Sequence, residues 1–409
     1  MGVSSNIELE PMPLKPLPIA ARNVRVLERP SLAELREWHY REPVIVRGLL
    51  ESSKLVGGLG ASSSLDAKLA VLDKQLGERP HFFCVLPPAS RGQYRPRRVS
   101  TEAEGAAPVE QTEGTFDDFA RRLKATPQTG EYVYMQNGMM GQEVLREELG
   151  FDFLRFSDPR GVESKFWIGS DGQVVNLHYD DCINYICMFE GTKRVTMFPP
   201  EQMANMYHAP FDVLAGGAPT TPVELLNLDL ERFPRFRAAM EHACVAVIEP
   251  GEALLIPPFW WHHVESFGVM HVMVNSFITT ISSAATLELW KDLSAGVRAL
   301  AKATDAERRR ERDLFRRRVL GDEEGGETSA LAEQARKTFR QLPGSWKDQV
   351  VRLWDAFAFQ VHGAPFETLG GIDGLVERQA GQLTLYPNAN MLAEMPDVLE
   401  LPPGDPDPR

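Results

Sequence analysis

Residues 173–200 read QVVNLHYDDCINYICMFEGTKRVTMFPP, and the fold turns on how they are parsed. Two β-branched and aromatic runs, VVNLH and INYICMF, are separated by Asp180 and Asp181. A third, KRVTMF, follows the Glu190-Gly191 turn and ends at two prolines. Such residues suit a pleated, half-buried surface, and Asp, Gly and Pro punctuate it. Runs of the same texture lie on both sides: YVYMQN (132–137), SKFWIGS (164–170), CVAVIEPG (244–251), EALLIPP (252–258) and VMHVMVNSF (269–277). Many short strands between Tyr132 and Phe277 predict a mainly β unit, a sandwich or a double-sheet jelly roll. One insertion, residues 201–240, carries helical and loop signals.

Further out the periodicity is helical. Ser31 and Glu34 form an S-x-x-E capping box that opens a helix ending before Pro43. PVIVRG (43–48) and HFFCVL (81–86) read as strands. Leu65, Leu69, Leu72 and Leu76 mark a helix, and Thr115 caps another that contains Phe116, Phe119 and Leu123. Residues 87–114 read as a long loop. Beyond about residue 285, Leu289, Leu293, Val297 and Leu300 make one apolar stripe, and Trp346, Val350, Leu353, Phe357 and Val361 another. Between them ERRRERDLFRRR (307–318) mixes both charges at helical spacing and reads as a solvated face. The expected division is an irregular segment at 1–30, a catalytic domain at 31–282, a helical region at 283–365 and a Pro-rich tail at 366–409.

The 409-residue chain is 43% hydrophobic and 25% charged, as soluble globular proteins are. A net charge of −13 repels phosphate backbones, so nucleic acid is disfavoured as the main partner and a basic peptide is compatible. Cys84, Cys182, Cys187 and Cys244 show no C-x-x-C spacing and are expected to be buried free thiols. No apolar run reaches membrane-spanning length. The start, MGVSSNIELE, lacks a secretory pattern, and Asn6 stands where a myristoylation signal has Ser or Thr. A cytoplasmic location, with no membrane partner, is the expectation.

His178 and Asp180 are two residues apart near the end of a predicted strand, a spacing that sends both side chains to one face. PPFWWHHVES (257–266) offers a third donor, His262 or His263. Two imidazoles and one carboxylate suit Fe(II) and leave positions open for a chelating oxo acid and dioxygen. The absence of cysteine donors argues against a structural zinc site.

The runs HYDDCINYICMFEGTKRVTMFPP (178–200) and PGEALLIPPFWWHHVESFG (250–268) resemble those of the JmjC/cupin-like Fe(II)- and 2-oxoglutarate-dependent oxygenases. So do YVYMQN upstream and NLDLERFPRFRAA (227–239) between them. The likeness covers roughly residues 30–280 and reaches the asparaginyl hydroxylases of that family. It implies a double-stranded β-helix core, and it assigns the metal to His178, Asp180 and His262, with strand alternation pointing His263 away. It places Lys193 on the far carboxylate of 2-oxoglutarate with Tyr134 assisting, and Asn184 and Asn275 near the metal end. Trp167 and Phe277 would line the cavity. The chain departs from the pattern at Val175, where a threonine hydroxyl would be; Ser164, Tyr134 or water would then replace it. The implied reaction turns 2-oxoglutarate and dioxygen into succinate and carbon dioxide while hydroxylating a peptide or protein side chain. N-methyl-lysine demethylation, tRNA-base hydroxylation and a non-catalytic cupin-like binding module remain as alternatives. Residues 283–365 would either pack on the barrel or form a homodimer, as the corresponding helices do in the resembled hydroxylases. The segments 87–114 and 201–240 are the candidates for substrate contact.

Overall fold

The computed structural model describes residues 14, 16–39, 41–77, 80–94, 110–138, 162–180, 182–207, 214–215, 218–278, 303–315, 317–318 and 326–339. In chain order they form β1 (Arg22–Asn23), β2 (Arg25–Glu28), α1 (Leu32–Trp38), β3 (Val44–Arg47), α2 (Lys54–Gly60), α3 (Leu65–Leu76), β4 (His81–Leu86) and β5 (Gln93–Tyr94). There follow β6 (Glu110–Gly114), α4 (Phe116–Thr129), β7 (Tyr132–Gly138), β8 (Val162–Ser170), β9 (Val174–His178) and β10 (Ile183–Phe198). Then come β11 (Leu214–Ala215), β12 (Ala218–Pro219), β13 (Cys244–Ile248), β14 (Glu252–Ile256) and β15 (Trp261–Ile278).

Two long strands, β10 and β15, run antiparallel and belong to two sheets at once. The first half of β10 pairs with the second half of β15 in a sheet ordered β2-β3-β14-β10-β15-β8-β7-β4-β6. Their other halves pair in a second sheet, flanked by β13 and β1 on one side and β9 and β5 on the other. This is the expected jelly-roll core with flanking helices. The ribbon bends where its register shifts, around Glu190 and Thr192. Gly191 sits there at φ 74°, where a Cβ would stand 2.8 Å from the carbonyl oxygens of both Met270 and Phe267. Gly268 faces it at φ 110°, so the bend requires a glycine on each strand.

Between the sheets, Ile186, Met188, Val195, Met197, Ala246, Ile248, Leu254, Ile256 and Val264 form one apolar core. A second core lies on the outer face of the larger sheet, where Leu35, Leu55, Leu59, Leu69, Leu72, Phe119 and Leu123 of α1–α4 cover Val44, Val46, Tyr185 and Cys187. Those helices start where side chains satisfy their free N–H groups. Ser31 and Thr115 make complete capping boxes, and Ser53 and Ser64 cap α2 and α3. All four cysteines are thiols outside any disulfide; Cys182, in the turn between β9 and β10, is half-buried rather than buried.

In the C-terminal region the described helices are Asp305–Phe315 and Ala330–Phe339, which pack on one another. Arg310 pairs with Glu327 at the surface, as a solvated face would, but Arg318 turns inward and donates to the Glu327 carbonyl at 3.1 Å. The two apolar stripes and the tail lie outside the described residues, as does the middle of the 87–114 segment. Among the described residues no helix is long and apolar enough to cross a membrane.

On the face of the second sheet turned away from the barrel interior, Arg194 donates twice to Glu265, each bond 2.7 Å, and both side chains are buried. Removing one member of a buried pair strands the other charge. Glu265→Ala is therefore expected to cost about 3–5 kcal/mol and lower the melting temperature by roughly 6–20 °C. The joint change Arg194→Met with Glu265→Leu should cost much less, which differential scanning calorimetry of the three proteins would show.

Candidate metal centre

His178 ends β9 and stands directly across from His262, the second residue of β15. Their rings lie 4.1 Å apart between centroids. Each Nδ1 is held by the carbonyl two residues earlier, at 2.7 Å for His178 on Asn176 and 2.9 Å for His262 on Trp260. A carbonyl oxygen only accepts, so Nδ1 carries the proton in both rings. Both Nε2 lone pairs are left for a ligand.

Asp180 arrives differently from the expectation. It lies beyond the end of β9, so strand alternation does not orient it. Its backbone carbonyl accepts from Phe259 N–H at 2.8 Å, which ties the turn to the loop before His262. Phe259 holds a left-handed φ of 65°, a conformation a bulky residue adopts only under constraint. The carboxylate accepts from Asn184 Nδ2 at 2.9 Å, and Asn184 Oδ1 accepts from Asn275 Nδ2 at 2.6 Å. The two asparagines thus brace Asp180.

Ligand atoms of His178, Asp180 and His262 all lie within 4.8 Å of one another. His262 Nε2 faces Asp180 Oδ2 at 3.6 Å. A lone pair against a carboxylate is repulsive unless a cation lies between them, so this donor set fits a divalent metal. Burial pushes both histidines down to about 4, which keeps them neutral, as ligands must be. His263 points to the opposite face, across from Thr196, and neither of its ring nitrogens has a partner.

Toward the bend in the ribbon, Lys193 is 1% exposed and donates to Ser266 Oγ at 2.6 Å. No carboxylate among the described residues pairs with it, and burial pushes it down to about 7. A buried cation of this kind fits an incoming carboxylate. Tyr134 is buried nearby, stacked on Trp167 with centroids 5.8 Å apart. Val175 shares the His178 face because the register slips between their partners, Val264 and His262. Ser164 does not reach this space: it lies across from Ser276 and exchanges a 3.0 Å hydrogen bond with it, on the face opposite Asn275. Phe277 lies across from Asn184, with Lys165 Nζ 5.3 Å from its ring. Sequence reasoning missed Ser266 and His271, whose Nδ1 lies 3.4 Å from Lys193 Nζ. The signal was present in ESFG and VMHVMVNSF, but which residues face Lys193 depends on the register shift.

A family model described as the cupin-like domain matches residues 34–283. The chain belongs to this family. It is 32% identical over 151 residues to HSPB1-associated protein 1 of Homo sapiens, covering 36% of this chain and 30% of that protein. It is 28% identical over 152 residues to Jumonji C domain-containing protein 5 of Drosophila melanogaster, 36% of this chain and 37% of that one. It is 26% identical over 191 residues to tRNA wybutosine-synthesizing protein 4 of Neurospora crassa, 46% of this chain and 13% of that one. The matches to these curated relatives thus span well under half of each relative's length. The JmjC-type cupin-like family is one of 2-oxoglutarate oxygenases that use Fe(II), and this chain carries a matching His-Asp-His cluster.

The buried imidazoles set an acid limit. Burial depresses His39 and His263 to about 3, His178 and His262 to about 4, and His271 well below 6.5. In the unfolded chain each binds a proton near the ordinary 6.5. Between there and pH 4 the unfolded state holds more protons, so stability falls as pH drops, by up to about 1.4 kcal/mol per pH unit per histidine. Above pH 7 this source contributes no slope. Urea unfolding of the metal-free protein should show its midpoint falling gently from pH 8 to 7, where the depressed Lys193 adds a slope of the same sign, and steeply from 6.5 to 5; a midpoint unchanged at pH 5 would contradict the neutral-histidine assignment.

Proposed function

We propose that the chain is an Fe(II)- and 2-oxoglutarate-dependent dioxygenase that hydroxylates a peptide or protein side chain. The observation that carries the reading is the convergence of two Nδ1-protonated imidazoles and a braced carboxylate at one place. An acid-free buried lysine lies deeper in the same barrel. With Fe(II) and 2-oxoglutarate bound, dioxygen is reduced while the oxo acid is decarboxylated to succinate and carbon dioxide, and one oxygen atom enters a substrate C–H bond.

The protein's own residues supply geometry. His178, Asp180 and His262 would hold the metal on one side and leave the other side open. Asn184 and Asn275 keep the Asp180 carboxylate in one orientation. Lys193 would fix the far carboxylate of the oxo acid, and the stacked Tyr134 and Trp167 exclude water around that ion pair. The acidic balance of −13 favours a peptide over a nucleic acid. The likeness to a tRNA wybutosine-synthesizing protein supports a second reading, a tRNA base as substrate.

Anaerobic titration of Fe(II) and 2-oxoglutarate into the protein should produce a weak visible charge-transfer band. His178→Ala and Asp180→Ala should abolish it, and Asn184→Ala should weaken metal affinity about 10–100-fold. A folded wild-type protein without the band would sink the oxygenase reading in favour of a binding module. Succinate release stimulated by tRNA and not by basic peptides would move the substrate to nucleic acid, and formaldehyde release from methylated peptides would mark a demethylase.

A further inference from the structure

Lys193, His271 and Gln173 form a buried hydrogen-bonded line next to the bend of the ribbon, and neither His271 nor Gln173 has a part in the chemistry above. Lys193 Nζ lies 3.4 Å from His271 Nδ1, and His271 Nε2 lies 2.9 Å from Gln173 Oε1. The glutamine carbonyl oxygen only accepts, so Nε2 carries the imidazole proton. The Nδ1 lone pair then faces the ammonium. The other tautomer would set an N–H against a cation, so the two contacts select one state of the ring.

The surroundings enforce the same arrangement. Gly169 on β8 leaves the space: a Cβ there would stand 2.7 Å from both His271 Nε2 and Gln173 Oε1, and 2.9 Å from Tyr134 Cδ2. Gln173 is anchored by its own backbone carbonyl, which accepts from Ser266 N–H at 2.8 Å. Ser266 is also the residue whose hydroxyl accepts from Lys193. Two of the three ammonium hydrogens thus have protein acceptors, and the third is left for a ligand. Gln173 Nε2 is a buried donor with no partner, on a side chain 1% exposed. It stands two residues before Val175, where the missing threonine hydroxyl would have donated.

We propose that His271 is a positioning residue that aims Lys193 and Gln173 together at the far carboxylate of a dicarboxylic 2-oxo acid. The pocket thereby selects such an acid over a monocarboxylic one. This inference rests on the oxygenase reading of the site. Nδ1 of the imidazole orients the cation, and Nε2 on the other side of the ring orients the amide, so a single side chain sets both donors.

The test uses the full chain loaded with Mn(II) in the absence of oxygen, with 2-oxoglutarate and 2-oxobutyrate titrated by calorimetry. His271→Leu removes the acceptor and should weaken 2-oxoglutarate about tenfold to a hundredfold, as loss of hydrogen bonds to a charged group does. Its affinity for 2-oxobutyrate and for Mn(II) should stay within about twofold, because neither meets Lys193 in this arrangement. His271→Asn, whose Oδ1 stands near the position of Nδ1, should recover most of the loss. Gln173→Leu should weaken 2-oxoglutarate selectively as well. Equal weakening of both oxo acids in His271→Leu, or unchanged 2-oxoglutarate affinity, would overturn the inference while leaving the oxygenase reading standing. Wild-type protein that binds Mn(II) and neither oxo acid would overturn both.

Discussion

A strand can serve two sheets only if it bends without losing its ladder of hydrogen bonds, and β10 and β15 do so as a pair. Two glycines back to back absorb the turn, because each occupies a position where a side chain would strike the other strand's backbone. Everything else in the barrel is placed relative to that bend. It sets the distance between the metal end, at His178 and His262, and the deeper end, at Lys193. It also brings His271, 78 residues away, to Lys193. The flanking strands extend the two sheets, and α1–α4 cover the larger one with a separate apolar core.

The two ends of the cavity are built by different means. At the deeper end every functional side chain stands on a strand or at its edge, so the ladder itself gives precision. Of the three donors at the metal end, only the histidines are on strands. Asp180 depends on a loop-to-loop hydrogen bond from a residue with left-handed backbone, and on two asparagines in series. Loops are less exact supports than strands, and the additional bonds compensate for that. Strain at Phe259 belongs to the same arrangement, since the residue with the left-handed backbone is also the one whose N–H holds Asp180.

The sequence carried the sheet texture plainly, because β-branched runs broken by Gly, Pro and Asp have few other readings. The starts of α1 and α4 were equally legible from their caps, and the span of α3 from its leucine spacing. What remained hidden was parity. The slip between Val175 and His178 puts residues three apart on one face, where simple alternation would separate them. Likewise Ser164 looked available for the oxo acid, yet its register with Ser276 turns it away from Asn275 and the cavity. Register is fixed by pairing between segments about 100 residues apart, which local pattern does not encode. The same limit concealed Ser266 and His271 as neighbours of Lys193.

Charge gives the cavity its logic. The half-buried Asp180 carboxylate and the buried Lys193 ammonium stand at opposite ends of the cavity, and among the described residues each is met by neutral partners, Asn184 and His262 at one end and Ser266 and His271 at the other. A divalent cation at the histidines leaves that end with one excess positive charge, and Lys193 contributes another at the far end. A dianion with carboxylates at both ends cancels the two together, which a monoanion does not. Depression of Lys193 toward neutrality by burial follows from the same balance, since the pocket without its anion penalises the charged form. In the proposed reading the selectivity of this site for a dicarboxylic 2-oxo acid is thus an electrostatic necessity of its burial. His271 adds direction to a preference that charge alone would leave unaimed.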